Sequence, residues 1–149
     1  MFKILETCFI NPIMDRIETI DIFIKNFVQK DRRERADYEL KSDSKRGRFI
    51  NKLNHTWEKV LDMSHIVRIP DGQDDYNFVK EQLGMRDNDK CYLISSYDDI
   101  DGKVLEFKDA FDNSYGRGFA TIVMNLAGNK LYLETEIDYG RQNRFIGKR

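Results

Sequence analysis

Apolar residues recur along the first sixty positions with helical spacing, and in the second half they gather into short runs. Ile13, Ile17, Ile20, Ile24 and Phe27 follow one another at intervals of four, three, four and three. That makes one continuous stripe, the mark of a helix with one buried face. Asn11-Pro12 opens this helix: Asn caps, and proline at the first helical position gives up an N–H that has no partner there anyway. Residues 29–48 are then almost wholly polar, so the helix frays into them and a loop falls near Ser42–Ser44. A second helix carries Phe49, Ile50, Leu53, Trp57, Val60, Leu61 and Ser64 on one side, capped by Asp43 or Ser44. Trp57 continues the stripe and is expected to lie buried between this helical pair and the rest of the fold.

The period then changes. His65–Pro70 reads as a short strand stopped by proline, and Asp74 caps a short third helix bearing Tyr76, Val79 and Leu83, with Gly84 just past its end. Cys91–Ile94 and Phe119–Met124 are apolar on both faces, as interior strands are. Asp101-Gly102 is a turn, and Glu106–Phe111 makes one or two helical turns. Leu126–Asn129 is a hairpin signal leading into a strand over Lys130–Glu136. Alternation in that strand puts Glu134 and Glu136 on one exposed face with Tyr132. Arg144–Ile146 adds a short edge strand. The expected architecture is a single α+β domain: an N-terminal helical pair plus a short helix, packed on a mainly antiparallel sheet of three to five strands.

Composition refines the picture without naming an activity. The chain has 149 residues, enough for one domain with a real core, and 34% of them are charged. Cys8 and Cys91 are far apart and form no ligand spacing. The N-terminus meets Glu6 at once and has no secretory h-region, and no apolar run approaches a bilayer span. The expectation is a cytoplasmic protein with two free thiols and no membrane contact.

Catalytic and metal motifs are absent from the sequence. His55 and His65 match no zinc spacing, and no phosphate-cradling glycine loop or nucleophile elbow occurs. Gly116-Arg117-Gly118 precedes a strand and reads as a tight loop. Asp98-Asp99-Ile100-Asp101-Gly102-Lys103 resembles a calcium loop in texture, but Tyr97 and Lys108 stand where ligating acids are needed. Glu134 and Glu136 form the one paired-carboxylate candidate for a scattered enzymatic site. No metal or cofactor is expected.

Charge placement is more informative. Residues 71–112 hold twelve acids against five bases, whereas residues 30–59 hold ten bases against six acids. A chain of net charge −1 is therefore polarised along its length. The order of the strand Cys91–Ser96, the turn Asp98–Lys103, the segment Leu105–Phe111 and the strands Phe119–Met124 and Lys130–Glu136 resembles small bacterial immunity proteins. Those bind and neutralise a cognate toxin domain, so the resemblance implies a non-catalytic cytoplasmic binding protein whose partner is a basic, nuclease-type toxin domain.

Carboxylates imitate phosphates against such a surface. The candidate contacts are Asp98, Asp99, Asp101, Asp109 and Asp112, with Tyr97 and Tyr115 as aromatic anchors. The rival expectation is nucleic-acid binding through Arg32, Arg33, Arg35, Lys45, Arg46, Arg48 and Lys52, of which Lys45, Arg48 and Lys52 fall on one helix face. Interleaved acids and a sequence pI near 6.1 disfavour it.

Overall fold

Every long apolar run of the second half becomes a strand. The computed structural model describes residues 12–73, 75–138 and 140–149, without the side chains of 12–15, 138 and 141. Cys8, Asn11 and Asp74, and the side chain of Ile13, lie outside what it describes. The elements are α1 (Pro12–Phe27), α2 (Arg33–Leu40), α3 (Arg46–His55), the single turn α4 (Trp57–Val60), β1 (Ile66–Arg68), α5 (Tyr76–Leu83), β2 (Lys90–Ser95), β3 (Val104–Glu106), α6 (Phe107–Ser114), β4 (Thr121–Asn125), β5 (Lys130–Asp138) and β6 (Arg141–Lys148). The six strands form one sheet in the order β1-β6-β5-β4-β2-β3, with every pairing antiparallel. The α+β class stands, and the sheet has one strand more than the widest expectation.

Side chains alternate across the sheet and feed two cores, one on each face. Tyr92, Ile94, Ile122, Met124, Leu131 and Leu133 point to a layer built from α1, α2 and α3, where Phe23, Phe27, Leu40, Phe49 and Leu53 are buried. Cys91, Leu93, Val123 and Tyr132 point the other way, toward Val79 and Leu83 of α5 and Phe107, Ala110 and Phe111 of α6. Helices therefore cover both faces, which is why these strands carry apolar residues at consecutive positions.

Several boundaries differ from the sequence expectation. Residues 33–40 are helical, held by the buried Ala36 and Leu40. In α1 the buried stripe is Ile20, Phe23, Ile24 and Phe27, and Ile17 faces solvent. Lys45 stands at the N-cap of α3 with no side-chain cap bond, so neither Asp43 nor Ser44 performs that role. The second helix breaks at Thr56, leaving Trp57 half-buried against Phe145, with ring centroids 6.1 Å apart, and not enclosed between layers. Asp75 caps α5 through the Phe78 amide, and Gly84 ends it in the left-handed conformation. β6 is eight residues long and internal, since β1 pairs along its outer side and forms the edge.

Candidate functional site

Two loops at one end of the sheet bring most of the sequence-selected residues together. The first joins β2 to β3. Its turn is closed by Ile100 and Asp101 amides donating to the Tyr97 carbonyl, and Gly102, at φ 74°, lets the chain reverse. Ile100 is buried beneath it. Asp101 is the fixing residue: its Oδ1 accepts from the Ser95 amide at 2.9 Å and from Arg46 Nη2 at 2.7 Å, and its Oδ2 from Arg46 Nε at 3.0 Å. The same guanidinium donates to the Tyr92 hydroxyl at 2.7 Å and the Leu40 carbonyl at 3.2 Å. Arg46 is only 8% exposed. This buried, bidentate pair ties α3 to the loop, and it consumes one residue from each of the two rival sets of contacts. Asp101 is a fastening under the surface, with Asp98 and Asp99 standing exposed on the tip above it.

The second loop, residues 115–120, leads from α6 into β4. Gly116 and Gly118 both adopt positive φ, so Tyr115, Arg117 and Phe119 are presented outward in succession. Arg117 lies 3.7 Å over the Tyr97 ring and donates through Nη1 to both oxygens of Asp99 at 3.2 Å and to the Asn113 carbonyl at 3.2 Å. The Tyr97 hydroxyl donates back to the Arg117 carbonyl at 2.6 Å. Phe119 packs edge-on to Tyr97 with centroids 6.3 Å apart. The Ile137 amide donates to the Gly118 carbonyl, and its side chain lies against that glycine. Phe119 is 51% exposed, Ile137 52% and Tyr115 41%. The product is a set of exposed or half-buried apolar side chains held by the loop: Tyr97 and Phe119 against each other, Ile137 against Gly118, and Tyr115 stacked on Phe111. Asp109 and Asp112 stand on the exposed side of α6, which runs into the loop through Asn113. Asp112 pairs with Lys108 at 3.1 Å, and among the described residues Asp98 and Asp109 enter no ion pair.

Sequence reading placed Tyr97, Tyr115 and the acids here but missed Arg117, Phe119 and Ile137. The signal for Arg117 was the glycine on either side of it, which marks a side chain pushed outward. Phe119 was counted into the following strand, which begins at Thr121.

The carboxylate pair dissolves. Glu134 is fully buried beside Tyr132, and a bulge between Glu134 and Ile137 turns Glu136 to the opposite face. There Glu136 Oε1 meets His55 Nδ1 at 2.8 Å. Glu134 Oε1 accepts from the Tyr132 hydroxyl at 2.6 Å, the Gly116 amide at 3.1 Å and Arg144 Nε at 3.2 Å, while Oε2 has no partner. Burial raises this carboxyl above its ordinary pKa despite the donors. The network reaches Tyr115, over whose ring Arg144 stacks at 4.4 Å. Its role is to seat the 115–120 loop on β5.

Three members of the basic set are engaged inside the fold. Arg46 is spent on Asp101, Lys52 pairs with the buried Glu39 at 2.8 Å, and Arg33 Nε is held by the Val28 carbonyl at 3.1 Å. Among the described residues no group of three His, Cys, Asp or Glu is placed to hold a metal ion, and no helix is long and apolar enough to cross a membrane. Comparison of the chain with protein-family models, with curated proteins and with solved structures gives no match.

Proposed function

We propose that the chain is a non-catalytic binding protein that docks a basic protein surface onto Tyr97, Phe119, Ile137 and Tyr115, in the manner of an immunity protein covering a nuclease-type toxin domain in the cytoplasm. The observation that carries this reading is the pairing of these loop-held apolar side chains with exposed carboxylates beside them. Aromatic residues surrounded by charge are what protein interfaces use as anchors, because their area is large and few rotamers are lost on binding. Asp98 and Asp99 at the loop tip, with Asp109 and Asp112 on α6, supply the acidic rim that steers a cationic partner. Asp99 is already shared with Arg117, so a partner guanidinium competes for it, whereas Asp98 and Asp109 are open to one directly.

The test is to establish whether an adjacent reading frame encodes a toxic domain and, where it does, to co-express that domain with this chain. Rescue of growth and a stable complex on gel filtration are expected from the wild type, and Phe119→Asp is expected to lose both while remaining folded. A complex that forms equally well with Phe119→Asp and with Asp98→Asn/Asp109→Asn places the interface elsewhere. Absence of any rescue defeats the reading.

A further inference from the structure

Three of the cations of the 30–52 segment that enter no ion pair among the described residues, Arg35, Lys45 and Arg48, are grouped with one exposed tyrosine of the helical layer. Tyr38, on α2, is 50% exposed. Lys45, at the corner where α2 gives way to α3, places its ammonium 4.7 Å from the ring centroid. Arg48 follows Lys45 by three residues on α3, and Arg35 precedes Tyr38 by three on α2, so each lies on the same helix face as its neighbour. Among the described residues Arg35, Lys45 and Arg48 enter no ion pair, in contrast to Lys41, which bridges Asp21 and Asp37 at 2.6 Å. An open cleft of about 370 Å³ runs along this face, lined by Asp31, Glu34, Arg35 and Tyr38.

We propose that this corner is an anion site for a phosphate group, held by Arg35, Lys45 and Arg48 with the Tyr38 hydroxyl as a fourth donor. Guanidinium forks and an ammonium match phosphate oxygens in geometry and charge. The field at the phenol is positive: a hydrogen bond from Lys45, with the charges of Lys45, Arg48 and Arg35, holds the Tyr38 hydroxyl below its ordinary pKa. Asp31 and Glu34 on the neighbouring wall limit the ligand. They repel the successive phosphates of an extended strand, so the site accepts one phosphate or a short polyphosphate, as carried by a nucleotide, in preference to a duplex. This inference does not rest on the proposed protein partner. It uses different residues, on α2 and at the start of α3.

The experiment is titration of the full chain at low salt with pyrophosphate, a nucleoside triphosphate and a short single-stranded oligonucleotide, followed by backbone amide chemical shifts. Shifts are expected to centre on residues 35–48 with pyrophosphate and the triphosphate, and to fade as salt is added. Lys45→Gln/Arg48→Gln is expected to weaken binding at least about tenfold, the consequence of losing charge-assisted hydrogen bonds. Tyr38→Phe, which keeps the ring, is expected to cost less, and Arg32→Gln, on the neighbouring 3-10 turn, to cost nothing. An oligonucleotide whose tighter binding also fails in the double variant identifies the phosphate as coming from a polymer. The proposal is overturned if no ligand moves these amides, or if Arg32→Gln weakens binding as much as the double variant does, since that is diffuse charge attraction. Thermal melts of each variant separate loss of site from loss of fold.

Discussion

At the residue scale, the decisive distinction is between acids that face solvent and the one that holds the fold. Asp98, Asp99 and Asp101 look alike in sequence, yet only Asp101 is tied by the Ser95 amide and a bidentate guanidinium. Asp98→Asn/Asp99→Asn should therefore change stability by no more than about ±0.5 kcal/mol, as surface substitutions do. Arg46→Ala should cost roughly 3–5 kcal/mol, because it removes the guanidinium from the part-buried Asp101 carboxylate and leaves the buried Tyr92 hydroxyl without its donor. Urea titration at neutral pH checks both, and equal small effects would mean that the clamp is open in solution. Trp57→Ala belongs between these extremes at about 2–3 kcal/mol, below the roughly 3–5 kcal/mol of an enclosed aromatic, since the indole packs on the core but is not fully covered. Cys91 is fully buried and its thiol is pushed up to about 12 by desolvation. Alkylation mapped to its peptide should be negligible in the native state at mildly alkaline pH and rapid after denaturation.

At the element scale, strands were legible and their neighbours were not. Cys91–Ile94 and Phe119–Met124 announced interior strands through apolar residues on both faces. β3 escaped because Val104-Leu105-Glu106 runs straight into α6 with no turn residue between. α2 escaped because only Ala36, Glu39 and Leu40 are buried on it, which is too few to make a stripe against so many charges. The Leu126–Asn129 hairpin was readable as a turn, but nothing in its letters says that α1 sits on it. Thr19 Oγ1 donates to the Leu126 carbonyl at 2.7 Å and Asn26 Nδ2 to the Gly128 carbonyl at 3.0 Å. A Cβ on Gly128 would lie 3.0 Å from Ile22 side-chain carbons and 3.1 Å from the Phe23 nitrogen, and Gly128 has φ 69°. Gly128→Ala thus meets both a left-handed backbone and a helix already in contact. The expected cost is about 2–3 kcal/mol, above the roughly 1–2 kcal/mol of backbone conformation alone. A loss near the lower figure would show that α1 shifts to make room.

At the scale of the whole molecule, the layer count decides the fate of Glu134. A helical pair on one face of a sheet leaves the other face wet, and on that plan the Tyr132–Glu134 face is solvated. The chain instead covers that face with α5 and α6, and Glu134 is carried inside with Tyr132 and Phe111. The sequence held the evidence in the buried periodicity of Val79, Leu83, Phe107 and Phe111, but short helices do not reveal which face they cover.

A pH dependence follows from that burial. Desolvation raises the Glu134 carboxyl above its unfolded value near 4.5, outweighing the Tyr132, Arg144 and Gly116 donors. Between the unfolded and folded pKa values the native state keeps a proton that the unfolded chain has released. Stability is therefore complete below about pH 4.5 as far as this group is concerned, and falls as pH rises toward the folded value, by at most ~1.4 kcal/mol per pH unit. Asp99 and Asp87, held low by Arg117 and Lys80, act in the opposite sense and only in more acidic solution. Glu134→Gln retains an acceptor for the three donors and cannot ionise. In urea titrations started near pH 4.5 and carried upward, this variant should gain on the wild type as pH rises and the gain should level off once the folded carboxyl has ionised. A difference that stays constant with pH would mean that Glu134 titrates as an ordinary carboxylate and that the second face of the sheet admits water.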